Sequence, residues 1–282
     1  MSGAMLNRLK RRLRRARDLA RSRWRGGIRC GVCGFLGEPW HHAALWPELV
    51  AEWELSPQWA DWFDRREGSH CVRCGASLRV SQMAEALVDV VNDRAGTRAT
   101  RLDRLFDAAE AQALSVAELN SAGNLHQFLA RCPTLRHSEY GSTSPEVPSE
   151  DLMGLSYADA SFDLVVTSDT LEHVPDIDQA LRETMRVLKP GGTHVFSVPV
   201  VWDRPTRQRA VMRDGVVTHL LPPSYHGAPS EGKSDYLVFY EFGADFVERC
   251  ESAGYEMRLL KRAANPALVT FVARRPSSSV PQ

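Results

Sequence analysis

Apolar residues change period twice along this chain. Near the start, Leu6, Leu9, Leu13, Ala16 and Ala20 share one helical face, with Arg8, Arg11, Arg12 and Arg15 around it. That spacing predicts an amphipathic helix, which Gly26-Gly27 ends. Helical spacing returns over 79–113, through Met83, Leu87, Val90 and Val91 and then Leu102, Leu105 and Phe106, with Gly96 as the joint. From 114 onward, strand patterns alternate with helical ones. Leu114–Leu119 predicts a strand, Asn120–Asn124 a turn, Leu125–Ala130 the start of a helix, and Thr134–Glu139 a second strand. Ser161–Asp169 holds a short β-branched apolar run ending in small polar residues, the signature of a central parallel strand covered on both faces. Ile177–Leu188 predicts a helix with Ala180, Leu181, Thr184, Met185 and Leu188 on one side. Lys189-Pro190-Gly191-Gly192 stops it, and Thr193–Val200 predicts the next strand. A strand–helix–strand crossover of this kind predicts a doubly wound α/β sheet, with its working edge at the carboxyl ends of the strands.

Composition narrows the class. The chain has 282 residues, with 43% hydrophobic and 25% charged, which excludes collagen-like, coiled-coil and wholly disordered chains. No apolar run reaches the roughly 18–20 residues of a membrane span. Lys+Arg and Asp+Glu are both 35, but residues 1–29 hold eleven Arg/Lys against one Asp, leaving 24 against 34 in the remainder. A basic arm therefore precedes an acidic body. Such an arm suits anionic lipid as a peripheral contact, nucleic acid, or an acidic protein surface, but for a terminal segment a solvated, frayed arm is the leading expectation. The tail 276–282 is poor in apolar residues and is expected to be disordered. Six cysteines are too few to staple a secreted scaffold of this size, and no apolar signal segment opens the chain, so a cytoplasmic location is expected.

Four of those cysteines form two matching knuckles, Cys30-Gly-Val-Cys33-Gly34 and Cys71-Val-Arg-Cys74-Gly75. A two-residue spacer lets both thiolates of a pair reach one tetrahedral ion, so the quartet predicts structural Zn2+ with no open position for substrate. The segment between the knuckles exceeds the roughly 15–20 residues usual for such modules. It carries Trp40, Trp46, Trp53, Trp59 and Trp62, and His41–Arg66 is expected to fold on its own as a helical excursion. His41, His42 and His70 could substitute as ligands but, with four cysteines present, are read as ordinary polar residues, and Cys132 and Cys250 as buried apolar groups within helices. The expected organisation is a basic arm (1–27), a four-cysteine zinc-binding module (28–78), a helical connector (79–113), a Rossmann-like domain (114–275) and the tail.

The strings "SFDLVVTSDTLEHV", "RVLKPGG" and "VFSVP" stand in order over Ser161–Pro199. In that order they resemble the class I S-adenosylmethionine-dependent methyltransferases, particularly their small-molecule branch, over about residues 112–275. The resemblance implies S-adenosylmethionine as cofactor and S-adenosylhomocysteine as product. It places Glu118 and the turn Asn120, Ala122, Gly123 and Asn124 around the methionine portion. Glu139, 21 residues after Glu118, falls on the ribose hydroxyls, at the interval expected of a doubly wound fold. Asp151 and Leu152 fall at adenine, and Ser168 and Asp169 beside the sulfonium. The family's first motif is usually glycine-rich, and only Gly123 is kept here. Asparagine tolerates the left-handed turn, whereas Ala122 is expected to set a methyl group where the cofactor passes.

Methyl transfer to a hydroxyl needs a base, and His173 and His226 are the candidates, with His219 a weaker third. Asp169 and Glu172 could instead balance the sulfonium charge. The reading that follows is O-methylation of a small-molecule, sugar or natural-product acceptor. Two alternatives stand beside it. One is an RNA methyltransferase using the zinc module and arm, although the acidic body opposes phosphate. The other is a non-catalytic, zinc-containing binding protein built on a degenerate methyltransferase fold.

Overall fold

A computed structural model describes residues 27–225 and 236–277. The basic arm, the loop carrying His226 and the end of the tail lie outside the described residues.

A six-stranded sheet organises the chain. Its strands are β1 (Val116–Leu119), β2 (Leu135–Ser138), β3 (Phe162–Ser168), β4 (Leu188–Ser197), β5 (Glu256–Arg262) and β6 (Asn265–Arg274), in the order β5-β6-β4-β3-β1-β2. The four strands from β4 to β2 run parallel, and β6 and β5 close the other edge antiparallel. The α/β, mostly parallel sheet expected from the alternation is present. The β5–β6 pair was not foreseen.

Helix α3 (Ile177–Val187) follows β3, and the Asp176 carboxylate caps it by accepting from the Gln179 amide at 3.0 Å. The expected stop at Lys189–Gly192 is absorbed differently. Strand β4 begins at Leu188, and its register against β3 shifts between Phe162 and Leu164, so Pro190-Gly191-Gly192 forms an irregularity inside the strand. Gly191 takes φ +74° there, a conformation side chains disfavour. The helix expected at Leu125–Ala130 shrinks to a single turn, His126–Leu129. Cys250 lies in helix α4 (Phe246–Ser252) as expected, but Cys132 sits in the bend beyond that short turn, not in a helix.

The region before the sheet does not stand apart from it. Helix α1 (Pro57–Gly68) and helix α2 (Leu78–Ala95) both pack on β6. One buried cluster runs from Cys30, Val32, Cys33 and Cys71 through Met83 and Leu87 of α2 to Val116, Val166 and Val195 of the sheet. The knuckle at Gly31 approaches so closely that a Cβ there would collide with the Ser81 carbonyl oxygen. The insert His41–Arg66 likewise leans on the sheet domain. Trp53 Nε1 donates to Ser224 Oγ at 3.1 Å, Trp59 Nε1 to Asp203 at 2.5 Å, and Asn265 Nδ2 to the Trp62 carbonyl at 2.9 Å. The physical reason is area: a segment this short cannot bury its own tryptophans, so it borrows an apolar face. No described helix is long and apolar enough to cross a membrane.

One buried group makes the fold acid-sensitive. His194 in β4 has no exposed surface, hydrogen-bonds Thr167 Oγ1 at 2.9 Å, and is pushed down to about 3 by burial. In the unfolded chain it protonates near pH 6.5. Its contribution is therefore complete above that pH and is lost as pH falls toward the folded value, at about 1.4 kcal/mol per unit. Urea unfolding at pH 7.5 and 5.5 is expected to show a loss on the order of 1 kcal/mol from this group. The loss should be absent in His194→Gln. An equal loss in the variant would assign the acid sensitivity elsewhere.

Candidate functional site

Both cysteine knuckles adopt the same backbone turn. The Cys30 amide donates to the Phe35 carbonyl and the Gly34 amide to the Cys30 carbonyl, each at 2.8 Å. The second knuckle repeats this with Cys71 to Ala76 and Gly75 to Cys71, each at 2.8 Å. Gly34 and Gly75 supply the left-handed step at φ +71° and +80°. The four sulfurs converge, with Cys30 Sγ 3.6 Å from Cys74 Sγ and Cys33 Sγ 3.7 Å from Cys71 Sγ. A hydrogen bond from the Cys30 thiol, then those from Cys33 and Cys74, hold Cys71 far below the usual thiol range. His70 keeps its side chain out of the quartet, with Nδ1 donating to the Gly75 carbonyl at 3.1 Å.

At the carboxyl end of β1, the Glu118 carboxylate is wholly buried. It accepts from the Ala122 amide at 2.9 Å and from His126 Nδ1 at 2.5 Å. The turn survives the loss of its glycines in the way asparagine allows. Asn120 stands at φ +61° and Gly123 at +58°, and Asn120 Oδ1 accepts from the Tyr140 amide at 2.7 Å. Ala122 belongs to the buried core beside Leu125, so its methyl faces inward and not across the mouth of the turn, against expectation. A Cβ on Gly123 would meet nothing within 4 Å, so the turn presents open space there. Asn124 reaches the second knuckle, with Nδ2 donating to the Gly75 carbonyl at 3.2 Å. Glu139, just past β2, accepts from the Ser121 amide at 2.8 Å. Asp151 caps its own turn by accepting from the Met153 amide at 2.8 Å, and Leu152 is buried.

The end of β3 holds what sequence reasoning missed. Asp169, in a left-handed conformation at φ +46°, accepts two hydrogen bonds from Arg66 at 2.8 and 2.7 Å and one from Ser197 Oγ at 2.7 Å. Arg79 stands 3.2 Å away, donates to Ser168 Oγ, and forks onto Glu67, which also pairs with Arg66. Burial alone would raise the Asp169 carboxyl, but Arg66 and then Arg79 overcome it and hold it well below the carboxylate range. Asp169 is thus balanced by guanidinium groups and is not a free counter-charge for a sulfonium. Glu172 is fully buried nearby and adds to the field that keeps Arg79 charged. Arg66 and Arg79 flank the second knuckle in sequence, and no local pattern ties them to a residue about a hundred positions on.

His173 closes a short 3₁₀ turn, Leu171–His173. Its Nδ1 lies 3.1 Å from the Leu237 carbonyl, which can only accept, so Nδ1 carries a proton, and Nε2 stands 3.8 Å from Glu172 Oε1. His219 is exposed at the end of the antiparallel hairpin Ala210–Arg213 and Val216–His219, and His226 is outside the described residues.

Part of the chain is similar to known methyltransferases. Residues 121–196 match the family model described as a methyltransferase domain. The chain is 50% identical over 48 residues to an arsenite methyltransferase of Aquipseudomonas alcaligenes, covering 17% of this chain and 14% of that protein. It is 35% identical over 104 residues to a demethylmenaquinone methyltransferase of Corynebacterium efficiens, covering 35% and 44%. The chain thus spans less than half the length of the curated relatives it matches. Among solved structures, the 1,6-didemethyltoxoflavin-N1-methyltransferase of Burkholderia thailandensis, with its substrate and S-adenosylhomocysteine bound, is 16% identical over 84% of this chain and 94% of that one, at TM-score 0.40. The matched stretch runs from the turn after β1 into β4, so this part of the mostly parallel sheet is similar to a methyltransferase domain.

Proposed function

We propose that this protein transfers a methyl group from S-adenosylmethionine to a hydroxyl of a small-molecule acceptor, and that its cysteine quartet holds a structural Zn2+. The observation that carries the first part is the methyltransferase-domain match over residues 121–196, which takes in most of the turn after β1 together with Glu139 and Ser168 and begins just after Glu118. The sulfonium donor brings its own activated methyl group, so the chain's residues bind, orient and remove a proton. Glu118 and the turn Asn120–Asn124 take the methionine end, Glu139 the ribose, and Asp151 with Leu152 the adenine. Ser168 lines the reacting end, beside an Asp169 whose charge Arg66 already balances. His173 serves as base through Nε2, with His226 as the further candidate. Arsenite and demethylmenaquinone, the substrates named for the relatives, are both small molecules.

Zinc is supported by geometry. Four thiolates about 2.3 Å from a tetrahedral ion are separated by about 3.8 Å, close to the 3.6 and 3.7 Å found between Sγ atoms. A filled tetrahedron leaves no site for substrate, so the ion braces the fold.

A second reading has its own support in the Arg66–Glu67–Arg79–Asp169 network, which fills the end of β3 with the chain's own charges. In that reading the domain is a non-catalytic scaffold. Calorimetry and thermal unfolding of the zinc-loaded chain with S-adenosylmethionine decide between them. Binding heat and a raised melting temperature are expected, and their absence at millimolar donor selects the scaffold. With a panel of phenolic and sugar-hydroxyl acceptors, His173→Ala is expected to lower S-adenosylhomocysteine release by about 10²–10⁴-fold while donor affinity holds. Unchanged release would remove His173 as the base.

A further inference from the structure

Beside the Glu118 carboxylate the fold assembles a second set of metal-ligating side chains, distinct from the cysteines. Glu118 of β1 and His137 of β2 are direct register partners in parallel strands, so their side chains leave the same face of the sheet side by side. His126 comes from the turn after the first loop, with Nδ1 2.5 Å from Glu118 Oε2 and its ring 4.3 Å from that of His137. One ligand atom from each of the three residues lies within 4.8 Å of the other two. Around them stand Glu139 Oε1 and Ser121 Oγ, each 3.2 Å from His137 Nε2. The set combines a fully buried carboxylate, fixed by the Ala122 amide, with two imidazoles, of which His126 is about a third exposed.

We propose that Glu118, His126 and His137 bind a borderline divalent transition-metal ion such as Zn2+, Co2+ or Ni2+. Two imidazoles and one carboxylate suit those ions, whereas Mg2+ and Ca2+ prefer all-oxygen cages. The three donors need only a small contraction to reach one ion, and the exposed side near His126 leaves positions for water. The site has a consequence that rests on the donor reading given above. Glu118 and Glu139 are the carboxylates expected to hold S-adenosylmethionine, so a bound ion and the donor exclude each other. Free transition metal would then act as a competitive inhibitor.

The test uses the full chain with its cysteine quartet filled by zinc, titrated with Co2+ and followed by visible d–d absorption and calorimetry. One further ion per chain is expected, without the thiolate charge-transfer band that cysteine ligation produces. His126→Ala and His137→Gln should each abolish that ion while retaining the zinc and the native circular dichroism. Failure to bind a further ion, or a further ion that survives both substitutions, would overturn the site. Saturating Co2+ is then expected to weaken donor binding at least tenfold in the wild type and not in His137→Gln. Undiminished donor binding with the ion in place would overturn the exclusion. A chain that binds the ion but never the donor would sink the methyltransferase reading and leave the metal site standing.

Discussion

Asp169→Ala is expected to destabilise the protein by about 3–5 kcal/mol, the usual cost of removing one partner from a buried ion pair. Arg66 is almost completely buried and Arg79 mostly so, and Asp169 accepts from or contacts both. Without the carboxylate, the two guanidinium groups must share Glu67, with Glu172 acting on Arg79 only through its field. Desolvation, which the pair now offsets, becomes uncompensated. Urea unfolding measures the effect, and Arg66→Met in the Asp169→Ala background should restore much of it, because replacing both partners by apolar groups is often close to neutral. A single-mutant cost below about 1 kcal/mol would instead place the pair in the solvated class. The pH dependence has a defined sign. The Asp169 carboxyl lies below its unfolded value near 3.9, so its contribution is complete above that pH and is lost as pH falls through the lower folded value.

That ion pair also marks where sequence patterns stop being informative. Strand β3 and helix α3 were legible because each is a local event: a β-branched run buried on both faces, then an apolar stripe at helical spacing. The knuckles were legible because two thiols and a glycine at fixed offsets have few other uses. The turn after β1 was legible in position, and the left-handed Asn120 followed from what asparagine tolerates. By contrast, Arg66 and Asp169 are brought together only when α1 packs against the strand ends, and nothing near either residue signals the other. The inward methyl of Ala122 depends on how the short turn His126–Leu129 seats against the core, and a missing glycine alone could not show it. The pairing of Glu118 with His137 is likewise a matter of register between neighbouring strands, settled by burial of the faces and not by any one residue. The boundary drawn at 78 marks a change of motif, while the apolar core crosses it without a break.

The cysteine quartet should therefore govern more than its own loops. Cys71→Ser is expected to lose the ion, and structural zinc in small modules contributes an apparent ~10–16 kcal/mol at neutral pH. That matches or exceeds the ~5–15 kcal/mol by which whole domains are stable, so the expected result is cooperative loss of structure and not a loosened knuckle. The route is physical: Cys30, Cys33 and Cys71 share a core with Met83, Leu87 and Val166, and the second knuckle lies between Glu67 and Arg79. Releasing it removes both Arg79 and Glu67 from the end of β3 and leaves Asn124 without its partner at Gly75. Metal content, the near-ultraviolet tryptophan signal and the donor-binding heat should accordingly fall together. Cys132→Ser is the control, since Cys132 is buried outside the quartet near the Leu114 carbonyl, where a hydroxyl can still donate. It should keep the metal. If a chelator-stripped chain instead melts within a few degrees of the untreated protein, the four thiols are a reduced cluster held by packing alone. The buried charges at Asp169 must then be positioned by the apolar face of α1, through Trp59 and Phe63 against Val201 and Ala267, without help from an ion.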